Sequence, residues 1–197
     1  MIEKTKQPVV IVSGLPRSGT SLMMSMLQAG GIQLLSDQIR KADEDNPKGY
    51  HEFERSKALK DGDLDWVESA SGQAVKVISA LLRFLPADHH YKVIFMQRDL
   101  QEVLNSQRQM LIRRKQNPES ISDAEMTIIY KKHLAGIKEW LRLQANFDVL
   151  EISYNLLFVN PKENLERISI FLEREIDTDA MQAVIDVNLY RQRNSNI

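Results

Sequence analysis

Cysteine is absent from the sequence, which excludes disulfides, thiolate nucleophiles and thiolate-held metals together and fits a reducing compartment. Histidine is scarce. His51, His89, His90 and His133 are the four present, and their positions show no ligand spacing, so no metal site is expected. An excess of charge of one sign is also missing, with 26 Lys plus Arg against 27 Asp plus Glu. That balance creates no overall field toward a nucleic acid or an acidic membrane, and neither is expected as a partner. No apolar run reaches the ~18 residues of a membrane span. Residues 1–7 are polar and lack a signal-peptide core, so a cytoplasmic protein is expected.

What is present reads as an ordinary globular chain, 43% hydrophobic and 27% charged over 197 residues, a length at which one core buries most of the apolar surface. One domain over residues 1–197 is the expectation. Residues 9–12, all Val or Ile, form a β-branched run closed by Ser13 and Gly14, the pattern of a strand buried on both faces of a parallel sheet. From Thr20 the apolar period becomes helical through Leu22, Met23, Met26 and Leu27, and it stops at Gly30 and Gly31. Residues 75–78, 93–96 and 149–153 read as further strands. Residues 54–59, 100–111 and 162–172 read as helices, as does an amphipathic stripe from Met126 to Leu141 behind the capping-box sequence at Ser122 and Glu125. Residues 36–62 are mainly a polar loop, long enough to be functional. Strands alternating with helices predict an α/β fold of three layers, a mainly parallel sheet with helices on both faces. Ligands of such sheets bind beyond the C-terminal strand ends, where the loops after Ser13, Ile78, Met96 and Ser153 should gather.

The segment Gly14-Leu15-Pro16-Arg17-Ser18-Gly19-Thr20-Ser21 fits the phosphate-loop pattern G-x-x-x-x-G-K-[ST] except that Thr20 stands in the lysine's place. Amides of a glycine-bearing turn that opens a helix form a nest for phosphate oxygens, assisted by the helix dipole. The missing lysine, which in nucleotide triphosphatases neutralises β- and γ-phosphate charge beside Mg²⁺, points to a donor with less charge and without a metal. Lys76 interrupts the apolar run of residues 74–78, where a lysine either snorkels out of the core or faces an anion.

Residues 16–21 resemble the 5′-phosphosulfate loop of the sulfotransferase family. That family also has an arginine at a strand's end followed, eight residues on, by a helical serine that holds a 3′-phosphate; Arg98 and Ser106 stand at that spacing. A third similarity is a strand ending in Tyr154, then Leu157, Pro161 and Phe171-Leu172, although the acidic pair that commonly follows the tyrosine is Asn155-Leu156 here.

The resemblance spans residues 8–172 and implies a phosphate-loop fold and the transfer of a sulfuryl group from 3′-phosphoadenosine-5′-phosphosulfate to a small acceptor. It implies donor contacts from Pro16, Arg17, Ser18, Gly19, Thr20, Ser21, Arg98, Ser106 and Tyr154. Arg17 and Lys76 would act as catalytic cations. The family's glycine-rich Arg-Lys-Gly segment is absent from the tail, which leaves Arg191 or Arg193 to replace its contacts. A histidine that serves as base in some members would fall at Ile78. The segment Asn46-Pro47-Lys48-Gly49-Tyr50-His51-Glu52 is similar to one that supplies a glutamate in other branches, so Glu52 is the expected base, ahead of Glu54 and His51. Two other classes stay open: a nucleotide-binding module without turnover, and a phosphate-loop kinase of small molecules.

Overall fold

The computed structural model describes residues 7–37, 39–44, 46–118 and 121–190. Four parallel strands form one sheet in the order β2-β1-β3-β4: β1 (Val9–Gly14), β2 (Ala74–Lys76), β3 (Tyr91–Gln97) and β4 (Phe147–Ser153). Its helices are α1 (Thr20–Ala29), α2 (Trp66–Ser69), α3 (Leu100–Arg113), α4 (Asp123–Arg142), α5 (Tyr154–Val159), α6 (Pro161–Leu172) and α7 (Thr178–Ala183), with 3₁₀ turns at Glu54–Asp61, Ser79–Phe84 and Val187–Leu189.

Both faces of the sheet are covered because its central strands are apolar on both. Val10, Val12, Ile94 and Met96 pack against Met23 and Leu27 of α1, Leu165 and Ile168 of α6, and Met181 of α7. Val9, Ile11, Val93 and Phe95 pack on the opposite side against Trp66 and Val67 of α2, Leu82, and Ile137 and Leu141 of α4. Each such side chain contributes about 1.5–3 kcal/mol when fully buried. This is the expected three-layer α/β arrangement.

The chain leaves β1 toward β2 on one side and then places β3 on the other. The C-terminal end of β1 is therefore a topological switch point, the place where open α/β sheets bind ligands.

Two expectations are corrected locally. The second strand stops at Lys76 rather than running to 78, because Ile78 already caps the 3₁₀ turn that follows and is 38% exposed. On α4, Ile129 is 49% exposed although it sits on the apolar stripe; only the later part of that stripe, at Ile137 and Leu141, reaches the core. The capping box forms as the sequence implies, with Ser122 and Glu125 bonded to each other's backbone amides at 3.3 and 3.1 Å.

Candidate active site

The turn between β1 and α1 makes the phosphate cradle. Gly14 has φ 147°, and a Cβ there would meet the Met96 carbonyl at 2.6 Å; at Gly19, φ 100°, a Cβ would run into the Tyr154 ring. Both positions therefore require glycine. Arg17 holds φ 72°, a left-handed conformation that costs a non-glycine residue about 1–3 kcal/mol and is found where a site demands it. The first amides of α1 have no intrahelical partner and face the cradle with the positive end of the helix dipole.

Lys76 projects from the end of β2 to this helix start. Its Nζ donates to the Tyr50 carbonyl at 2.8 Å and to Ser21 Oγ at 3.0 Å, and lies 3.6 Å from Glu52 Oε1. The side chain is 10% exposed, so it does not snorkel into solvent. Burial pulls the ammonium down to about 8, with Glu52 pulling the other way and Arg40 and Arg17 adding to the fall. Burial alone would raise the Glu52 carboxyl; the surrounding cations Lys57, Lys76 and Arg40 outweigh it and hold the group below the usual carboxylate range. Arg40 reaches Oε1 at 2.8 Å. Lys57 Nζ lies 2.9 Å from Oε2 and completes the ring of cations around the carboxylate.

The three candidate bases separate in space. Glu52 faces the cleft beside Lys76, whereas Glu54 starts the 3₁₀ turn and pairs with Lys57 at 2.6 Å, outside the cleft lining. His51, at φ 49°, turns its Nε2 to Ser25 Oγ at 2.8 Å, and burial together with Lys76 lowers its affinity for a proton.

A second group of polar side chains forms where β3 passes into α3. Arg17 Nε donates to Ser106 Oγ at 3.0 Å, and Arg98 donates to the Arg17 carbonyl at 3.2 Å. Arg98 is nearly buried, 4.4 Å above the Tyr154 ring, and its Nε bonds Glu102 Oε2 at 2.9 Å. Glu102, 1% exposed, also accepts from Tyr190 OH at 2.7 Å and from Asn155 Nδ2 at 3.1 Å. Asn155, which departs from the acidic residue common in the family, therefore ties α5 to α3 and the C-terminal segment.

One cleft of about 450 Å³ joins the two groups. It is lined by Pro16, Arg17, Gly19, Thr20, Ser21, Glu52, Lys76, Arg98, Ser106 and Tyr154, so most of the residues singled out in the sequence meet there. Ser18 does not line it: its side chain is buried on the far side of the loop and its amide donates to the Leu15 carbonyl at 3.2 Å, so only its backbone shapes the cradle. Arg191 and Arg193 lie outside the described residues. Asp186 and Leu189 line the cleft, so the chain after residue 172 takes part in the site.

Sequence reasoning missed Arg40, Tyr50, Glu102 and Tyr190. Arg40 lies 3.3 Å above the Tyr50 ring, and Tyr50 is buried with its hydroxyl on Asp43 at 2.6 Å. Nothing in a polar loop distinguishes that pair before folding. Glu102 did carry a signal, as an acid one helical turn after Arg98.

The fold and the cradle define a phosphate-loop α/β protein whose cleft is lined by Lys76 and Arg40 beside Glu52 and by Arg17 and Arg98 beside Ser106. The chain belongs to the sulfotransferase domain family, whose model matches residues 7–194, well past the residue 172 at which the sequence resemblance ends. No curated protein sequence matches. Among solved structures the chain is similar to the sulfotransferase domain of the Synechococcus PCC 7002 olefin synthase, at 18% identity and TM-score 0.56 over 98% of this chain and 83% of that one. It is also similar to a sulfotransferase from Mycobacterium tuberculosis H37Rv, at 15% identity and TM-score 0.56 over 98% and 77%. Retinol dehydratase, solved in complex with androsterone and inactive cofactor PAP, gives 16% identity and TM-score 0.50 over 90% and 63%. At these identities the structures establish likeness of fold. Among the described residues no helix is long and apolar enough to cross a membrane, and no cluster of His, Asp and Glu is arranged to hold a metal ion.

Proposed function

We propose that the protein transfers the sulfuryl group of 3′-phosphoadenosine-5′-phosphosulfate to a hydroxyl or amine of a small acceptor. The observation that carries this reading is the meeting, in one cleft, of the phosphate loop and its Arg17 with Lys76 and Glu52 at one place and of Arg98 with Ser106 at another. A donor with phosphosulfate at one end and a 3′-phosphate at the other needs two such anion sites.

In this reading the loop amides and Arg17 hold the 5′-phosphosulfate, and Arg98 with the Ser106 hydroxyl holds the 3′-phosphate. Ser106 Oγ accepts from Arg17 and keeps its own proton to donate. Leu22, Phe158 and Leu189 line the same cleft and offer the purine an apolar wall.

The acceptor oxygen attacks sulfur as the bond from sulfur to the 5′-phosphate oxygen breaks, and that electron pair leaves on adenosine 3′,5′-bisphosphate. The acceptor proton passes to Glu52, and the acceptor leaves as its sulfate ester. Lys76 stabilises charge on the departing oxygen from a pre-set position, the main form of catalysis where positioning and electrostatics dominate. Glu52 is a weak base because three cations surround it. It suffices because the acceptor hydroxyl becomes strongly acidic only as its bond to sulfur forms.

Calorimetric titration tests the donor assignment. Adenosine 3′,5′-bisphosphate should bind without Mg²⁺ and more tightly than ADP. Tighter binding of ADP or ATP in Mg²⁺ would return the chain to the kinase class.

A further inference from the structure

Glu52 stands outside any helix or strand. It follows His51, whose backbone is left-handed at φ 49°, and precedes the 3₁₀ turn at Glu54–Asp61, so no regular element fixes the direction of its carboxylate. Side-chain contacts must do so. Arg40 makes the most directional of them: its Nη1 donates to Oε1 at 2.8 Å while its guanidinium lies 3.3 Å from the centre of the Tyr50 ring, within cation–π range. The ring is itself fixed, since Tyr50 is 3% exposed and its hydroxyl donates to Asp43 at 2.6 Å. The Tyr50 carbonyl accepts from Lys76 at 2.8 Å, so the residue that carries Arg40 also seats the proposed catalytic lysine.

The three cations around Glu52 differ in what they can fix. Lys57 has a side chain 51% exposed and divides itself between Glu52 at 2.9 Å and Glu54 at 2.6 Å. Lys76 is nearly buried, but it lies 3.6 Å from Oε1 and spends its closer contacts on Tyr50 and Ser21. An ammonium is moreover a point charge on a flexible stem, whereas a guanidinium is a rigid planar fork that sets the orientation of its acceptor. Arg40, Tyr50, Glu52 and Lys76 all line the one cleft.

We infer that Arg40 is a positioning residue for the transfer: it aims the Glu52 carboxylate toward the acceptor hydroxyl, and the buried Tyr50 ring holds it in place to do so. The inference rests on the sulfotransferase reading above, with Glu52 as base, and adds a residue to it. The reaction is unchanged. The acceptor's proton passes to Glu52, its oxygen bonds to sulfur and the donor's S–O bond breaks, while Arg40 keeps its charge and forms no bond. A cation beside a base also weakens it. The arrangement is still favourable, because a buried carboxylate with too little charge around it takes up a proton before the acceptor arrives. The charged groups facing this carboxylate are Arg40 from the loop, Lys57 from the 3₁₀ turn and Lys76 from β2, with Glu54 beyond Lys57 and Asp37 bonded to the Glu54 amide at 2.6 Å. Removal of one of those cations leaves the carboxylate easier to protonate, so the acid limb of the rate profile moves to higher pH.

The test uses the full chain, radiolabelled 3′-phosphoadenosine-5′-phosphosulfate and a panel of phenols and primary alcohols as acceptor probes. Arg40→Ala should lower kcat about 10–100-fold with KM for the acceptor little changed, a smaller loss than removal of the base itself. The acid limb of its kcat/KM profile should move to higher pH, a displacement that a merely structural role would not produce. Arg40→Lys should return the limb to its wild-type position but recover only part of kcat, since it restores the charge without the fork. In a Glu52→Gln background Arg40→Ala should cost nothing further, because both residues act through one carboxylate. An unmoved limb, a loss of the same size in the Glu52→Gln background, full turnover by Glu52→Gln, or bisphosphate binding without transfer to any probe would each overturn the inference and leave the donor assignment standing. Failure of the wild-type chain to bind adenosine 3′,5′-bisphosphate would instead remove the donor assignment and this inference with it. Should Arg40→Ala fold poorly, Arg40→Gln gives the same comparison. NMR titration of labelled glutamate carboxyls, with Glu52 assigned by the signal lost in Glu52→Gln, reads the displacement without turnover.

Discussion

Lys76 carries its charge in a place that penalises it. Burial lowers the ammonium to about 8, so in the free enzyme it begins to lose its proton just above physiological pH. The folded value lies below the unfolded value of about 10.4, so the penalty for burying the charge is present in full below pH 8. It is relieved as pH rises from 8 toward the unfolded value, and stability gains from this group over that window. The proposed transfer uses the charged form, and so moves the opposite way: kcat/KM should fall above pH 8. In Lys76→Arg that alkaline limb should disappear, since guanidinium does not titrate there, and a limb that survives would assign it to another group.

The pair of Arg98 and Glu102 yields a second residue-scale expectation with a definite sign. Arg98→Ala should weaken adenosine 3′,5′-bisphosphate by about 1.5–3 kcal/mol more than it weakens AMP, the range for hydrogen bonds to charged groups. In the proposed binding mode Glu102 competes with the ligand phosphate for the same guanidinium, while Arg98 is also held by the Arg17 carbonyl and the Tyr154 and Tyr190 rings. Glu102→Gln should therefore destabilise the free protein by about 3–5 kcal/mol, as expected when a buried charge loses its partner, yet tighten the bisphosphate about tenfold. Weaker binding would show that Glu102 serves to aim Arg98 rather than to temper it.

Among the elements, α3 ties the site to the fold because Arg98 precedes it, Glu102 and Ser106 lie within it and Arg113 ends it. Its start is fixed by Asp99, whose carboxylate accepts the Glu102 amide at 3.1 Å. Asp99→Ala should cost about 1 kcal/mol in urea unfolding, the usual loss for a helix cap, and should weaken bisphosphate binding as the first turn frays. Unchanged affinity at that lowered stability would mean that the helix start is held by packing alone.

Elements of this length were legible in the sequence, since β1, β3, α1, α3 and α6 each show a clear period or β-branched run. Helical segments of four to six residues, such as α2, α5, α7 and the turn at Ser79–Phe84, are too short to display a helical period, and tertiary packing places them. The site follows the same division. Residues carried by local spacing, from Pro16 to Ser21 and at Arg98 and Ser106, could be marked along the chain. The convergence of Arg40, Lys57 and Lys76 on Glu52 exists only once Arg40, Tyr50 and Glu52 have come against the end of β2 at Lys76.

At the scale of the whole molecule the sheet order sets the terms of function. Placing β1 between β2 and β3 gathers the phosphate loop, Lys76 and the start of α3 around one crevice, and the segment at Asp186 and Leu189 closes a further side. A ligand spanning these parts binds the native state alone and must stabilise it as a unit. At a concentration 100 times its dissociation constant, adenosine 3′,5′-bisphosphate should add about 2.7 kcal/mol, and about 2–4 °C per kcal/mol for a chain of this size gives a rise in Tm of roughly 5–11 °C without Mg²⁺. Glu52→Gln separates binding from chemistry on this scale. Glu52 lies with Arg40, Lys57 and Lys76 rather than with Arg98 and Ser106, so the variant should show the same bisphosphate-induced rise. Turnover of an accepted hydroxyl compound should nevertheless fall about 10²–10⁴-fold, the range for loss of a general base. A variant with the full rise and full turnover would place the base elsewhere. A wild-type chain with the full rise and no turnover of any acceptor would instead be a binding module that retains the cleft for nucleotide alone.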